Sequence, residues 1–196
     1  MSRMGEISAF QQRDSHAQST IADLFIEALR QGQSLWFRVG SGSMLPLLKV
    51  DAQVYIEPAP GRAIRVGEIA AFETPQGLMI HRIVRIEHTK RIQPTRQPQG
   101  DGSSVRLLQM PDVIVRPTWL DEHTVIGRVV AIRGGNRHIN LKHPIAQKYG
   151  RVTAYVRYRL YMTENRLLKT VLRACSRLAL NTGCWCIERC CLISEI

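Results

Sequence analysis

Apolar positions recur along this chain with two different periods, and the switches between them divide it into three parts. Between Thr20 and Gln31, the residues Ile21, Leu24, Phe25, Ala28 and Leu29 fall on one helical face. Thr20 and Asp23 have the spacing of a capping box, and Gly32 supplies a stop. From Ser34 the period becomes two, and short strands are predicted at 34–39, 53–57, 68–72, 78–86, 105–109, 113–115, 124–132 and 137–141. The run Pro58-Ala59-Pro60-Gly61 cannot continue a central strand and marks a loop, while Thr74 to Gly77 makes a hairpin turn. From Val152 to Leu180 the spacing turns helical again. Val152, Tyr155, Val156, Leu160, Leu167 and Leu168 form one side, with Arg157, Arg159, Arg166 and Lys169 available to the other. The polar N-terminal arm is predicted to be disordered.

These periods predict a mainly β protein. Antiparallel strands form a partly open, barrel-like domain over residues 34–143, preceded by an arm and helix at 1–33 and followed by a basic, cysteine-containing tail of amphipathic helices at 144–196.

Charge changes the picture only in the tail. The net charge of +11 is uneven: residues 1–132 hold 15 Lys/Arg against 13 Asp/Glu, whereas residues 133–196 hold 12 against 3. Such a tail favours an anionic partner, and the two roles open to its helices are packing on the β domain with a solvated basic face, or lying on an anionic membrane surface. No window approaches ~20 consecutive apolar residues, so neither a transmembrane helix nor a cleaved targeting peptide is predicted. The expected placement is cytoplasmic or peripheral to a membrane. All five cysteines, Cys175, Cys184, Cys186, Cys190 and Cys191, sit in the tail. Their spacing is not a standard zinc pattern, and an odd number argues against a disulfide framework, so no metal is assigned. No cofactor is expected either.

The candidate chemistry lies in the β domain. In Gly40-Ser41-Gly42-Ser43-Met44-Leu45-Pro46, small residues flank Ser43, leaving its hydroxyl unobstructed and its backbone free to approach a substrate. A serine nucleophile needs a base, and the base an orienting group. The strand at 78–86 offers His81, which on strict alternation shares a face with Met79, Ile83 and Arg85. Asp101, between Gly100 and Gly102, is a candidate third member. In isolation these features read as a Ser/Gly turn, a structural histidine and a Gly-Asp-Gly turn.

Taken together and in this order, they resemble the serine peptidase superfamily that contains signal peptidases and self-cleaving repressor domains, and most closely the archaeal and endoplasmic-reticulum type of signal peptidase. The resemblance covers roughly residues 34 to 132 and rests on Ser41-Gly42-Ser43-Met44-Leu45-Pro46, His81-Arg82-Ile83-Val84 and Gly100-Asp101. It implies Ser43 as nucleophile, His81 as general base and Asp101 as the acid completing the site, with Asp112 as an accessory acid. The backbone N–H of Ser43 is the first oxyanion donor. By the same resemblance the Ser41 hydroxyl is a second, with capping of its own turn as the alternative role. Val50-Asp51-Ala52-Gln53-Val54 and Val66-Gly67-Glu68-Ile69 match two further segments of the family with one substitution each. A single helix before the serine box is too little for a helix-turn-helix, which argues against a repressor.

The implied activity is endoproteolysis of a signal or leader peptide after small residues, with a peptide or preprotein as partner. Nucleic acid is the less favoured ligand. The competing reading is a catalytically degenerate peptidase fold serving as a basic peptide- or nucleic-acid-binding module.

Overall fold

The computed structural model describes residues 21–90, 103–113, 116–134 and 137–164, together with residues 170 and 174. The polar arm, the basic loop before Asp101, Asp101 itself and the cysteine-bearing end of the tail lie outside these residues.

Helix α1 (residues 21–30) leads into an antiparallel sheet of eight strands. These are β1 (Leu35–Arg38), β2 (Gln53–Pro58), β3 (Ile69–Thr74), β4 (Gly77–Lys90), β5 (Ser103–Met110), β6 (Thr118–Asp121), β7 (Val125–Gly134) and β8 (Arg137–Asn140). Helix α2 (Pro144–Met162) follows. The hydrogen-bonded order is β1-β2-β7-β3-β4-β5-β6, with β8 continuing the β3 side of β7. Two strands make this arrangement possible by their length. β7 pairs β2 along one edge and β3 then β8 along the other, and β4 pairs β3 with its first half and β5 with its second.

Alternation holds where one face is solvated. In β2, Val54 and Ile56 are fully buried while Gln53, Tyr55 and Glu57 are not. It fails in β5, where Val105 and Leu107 enter one core cluster with Ile83 and Phe72, while Leu108 and Met110 enter another with Val84 and Ala154 of α2. The strand is buried on both faces because α2 covers the second.

Several expectations are corrected here. The strand Thr118–Asp121 was not expected from the sequence; of the strand expected at 113–115, residues 114 and 115 lie outside the described residues, and the Val113 N–H donates to Ser43 O at 3.1 Å beside an Asp112 bound by Arg82. Strict alternation in β4 ends at a register shift between Ile83 and Arg85, where Val84 is the extra residue. Ile86, not Arg85, then packs with Ile83 and Met79, and Arg85 turns to the Tyr158 hydroxyl.

Both helices are rotated from their predicted faces. In α1 the buried residues are Ile26 and Leu29, flanked by half-buried Ala22 and Phe25, and Ile21 and Leu24 are exposed. The stop at Gly32 is as expected: with φ of +84°, its N–H bonds Leu29 O and the Gln33 N–H bonds Ala28 O, a Schellman closure. In α2, which begins earlier than expected, Ala146, Gly150, Thr153, Ala154, Arg157 and Leu160 are buried, whereas Val152 and Tyr155 face outward. Around Gly150 only a small residue fits the inward face, because the turn at Gly67 comes too close for a larger one. A methyl group on Gly150 would stand 2.5 Å from Gly67 O, and one on Gly67 2.5 Å from Arg151 N.

Candidate active site

The serine box follows β1 and is held from below by its own apolar residues. Met44 and Leu48 are buried in the main cluster with Val39, and the chain between them is tightened by the bonds from Leu45 N to Gly42 O and from Leu48 N to Met44 O. Burying Met44 and Leu48 is worth roughly 1.5–3 kcal/mol each, which fixes the turn while its polar edge stays accessible. Ser43 is therefore half-buried on a braced loop.

His81 reaches this loop from the first half of β4, opposite Ala70 of β3. Its Nε2 lies 3.1 Å from Ser43 Oγ, and its Nδ1 lies 2.7 Å from Gln109 Oε1. An amide oxygen only accepts, so Nδ1 carries the proton and the Nε2 lone pair is left to take the Ser43 hydroxyl proton. That is the tautomer a general base requires. The ring also packs edge-on against Phe72, with centroids 6.0 Å apart. Burial holds the imidazole below its ordinary pKa; the bond to Gln109 and the charge of Asp112 oppose this without cancelling it. Neutral imidazole is thus the resting form at neutral pH.

Ser41 Oγ donates to Ser43 Oγ at 3.2 Å, so the two hydroxyls and the imidazole form a short chain. The Ser43 N–H has no backbone acceptor among the described residues. Beside them runs a cleft of about 220 Å³, walled by Val39, Met44, Leu48, Leu78 and Ile80. A pocket this small and apolar accepts short aliphatic side chains more readily than large or charged ones.

Of the two acids proposed from the sequence, Asp101 lies outside the described residues. Asp112 does not touch His81. It is a buried carboxylate gripped by Arg82 through Nε at 3.0 Å and Nη2 at 2.8 Å, while Arg82 Nη1 donates to Gly67 O at 2.8 Å. Burial alone would lower the Arg82 pKa, but the Asp112 charge and hydrogen bonds more than reverse this and the net direction is up. Asp112 is thus a structural counter-ion whose neighbour, Val113, holds the Ser43 carbonyl.

The partner that sequence reasoning missed is Gln109, 5% exposed. Its signal was present: in Val105-Arg106-Leu107-Leu108-Gln109, alternation puts a polar residue on the same buried face as Val105 and Leu107. Such a group must have a hydrogen-bond partner inside.

Among the described residues no cluster of His, Cys, Asp or Glu is arranged to hold a metal, and no helix is long and apolar enough to cross a membrane. Compared with known proteins, the chain matches no family model and no curated sequence.

Proposed function

We propose that this protein is a serine endopeptidase of the signal-peptidase type, built on a partly open β-barrel variant of the eight-stranded sheet, that cuts signal or leader peptides after small residues. The observation that carries this reading is the position of His81, with Nε2 on Ser43 Oγ and Nδ1 on an acceptor.

In the proposed reaction Ser43 Oγ attacks the scissile carbonyl carbon as its proton passes to His81 Nε2. The Ser43 N–H, with the Ser41 hydroxyl once it turns from Oγ, would receive the developing oxyanion. Collapse breaks the C–N bond, and the departing amine takes the proton from His81. Water, deprotonated by the same imidazole, then releases the acyl group from Ser43. Gln109 keeps the tautomer and stabilises imidazolium by its dipole, a weaker effect than that of a carboxylate.

The Ser43→Ala variant should lose cleavage of leader-type peptides by about 10³-fold or more while keeping the wild-type melting temperature. Mass spectrometry of the products and a thermal melt check both; undiminished turnover sinks the reading.

One observation favours the second reading, a binding module on a degenerate fold: an amide stands where a carboxylate would orient the base. That reading predicts salt-sensitive binding of peptide or nucleic acid that S43A leaves intact, with no cleavage by the wild type.

A further inference from the structure

On the opposite side of β4 from His81 lies a larger cavity, of about 400 Å³, between β3, β7 and α2. Its floor is apolar, formed by Leu47, Ile69 and Val129, and its rim is cationic. The volume falls within the ~300–1,000 Å³ typical of small-molecule sites.

The charges around it do not balance. Arg82 is matched by Asp112, Lys142 by Glu57 at 2.7 Å and Arg128 by Glu68 at 3.4 Å. Arg65 and Arg151 also line the cavity, yet neither has a salt-bridge partner among the described residues. The Nε of Arg128 is buried without a hydrogen-bond partner among the described residues. Outside the lining, Arg157 of α2 is 5% exposed and its Nε likewise has no hydrogen-bond partner among the described residues. Asp112 and Arg82 both act on its charge, but the bonds of Asp112 go to Arg82. Burial lowers the Arg157 pKa first, Asp112 opposes this, and the like charge of Arg82 adds to the lowering.

Arg65 and Arg151 stand at the open rim without a counter-ion among the described residues, so an anion entering the cavity would meet donors not already spent. Guanidinium groups present planar pairs of donors that match phosphate oxygens, and the apolar floor suits the body carrying the phosphate. The packing of Gly67 on Gly150 sets Arg151 at one wall, and Arg65 precedes the same turn.

We infer that this cavity binds a phosphate-type anion carried on a small organic body, held by Arg65, Arg128 and Arg151. The site stands independently of the peptidase reading, since none of these residues touches Ser43 or His81.

The test is isothermal titration of the full chain at low salt with glycerol 3-phosphate, alongside sedimentation with phosphatidylglycerol vesicles. Arg65 and Arg151 are exposed, so the R65Q/R151Q double variant keeps the fold, checked by circular dichroism. Saturable one-to-one binding of glycerol 3-phosphate, weakened tenfold or more by R65Q/R151Q and unchanged by R159Q, supports the site and a soluble ligand. Vesicle binding alone, with the same dependence, supports it with a lipid headgroup as the source. Absence of binding to either probe, a loss smaller than tenfold, or an equal loss in R159Q overturns it.

Discussion

His81 sits between a hydroxyl and an amide, and its chemistry is set by that pair together with its burial. Its folded pKa lies below the reference value of about 6.5, so between the two values the unfolded chain binds the extra proton. Stability contributed by the neutral ring is therefore present above about 6.5 and lost as pH falls through that window. The proposed peptidase activity, which would need the same neutral ring, should show an acid limb in kcat/KM centred below about 6.5. Replacing Gln109 with glutamate places an opposite charge on Nδ1 and should raise that limb by about one unit or more. A pH–rate profile of the Q109E variant with an unmoved limb would remove Gln109 from the site. Ser43 and His81 were legible in the sequence because their neighbourhoods are short and contiguous. Asp112 was named as an accessory acid for its place shortly after Gly100-Asp101, and such a spacing says nothing about a competing arginine: Arg82, next to His81 but on the other face of the strand, holds it.

Elements were legible to the extent that one face of each is wet. β2 and the β3–β4 hairpin follow from alternation and turn chemistry, with Thr74 Oγ1 closing the turn on Gly77 O at 2.9 Å. β4 was readable up to Ile83 and unreadable beyond it, since a bulge changes the facing of every later residue without a mark in composition. The faces of α1 and α2 were misread for a different reason. Hydrophobicity predicts what leaves water, whereas α2 is positioned by what fits, and only glycine fits where residue 150 meets residue 67. The Gly150→Ala variant should therefore cost about 1–3 kcal/mol, read from urea unfolding, although alanine is the better helix former. A neutral or stabilising result would mean that the helix does not rest on the Gly67 turn.

At the scale of the whole molecule, one buried ion pair ties the ends of three neighbouring strands to the helix that covers them. Arg82 belongs to β4, Asp112 follows β5, Gly67 precedes β3, and Tyr149 of α2 lies under the guanidinium at 5.8 Å. Asp112→Asn strips the charge from beneath a guanidinium that is 2% exposed, and should destabilise the fold by about 3–5 kcal/mol. Replacing both residues together, R82M/D112L, should cost less than the sum of the two single changes; strict additivity in chemical denaturation would show that the pair is not coupled. The β-rich class follows from the periods of the sequence. The strand order and this junction do not, because they depend on which distant residues meet.

The amide of Val113 gives this junction a mechanical meaning. Since it hangs the carbonyl of Ser43 from the residue next to Asp112, the hydroxyl is suspended from the same rivet that fastens helix to sheet. Slack introduced on the far side of the molecule is thereby delivered to the Ser43 hydroxyl as a shift in height, and if the proposed peptidase reading holds, a loosened α2 would blunt that hydroxyl without altering any atom beside it.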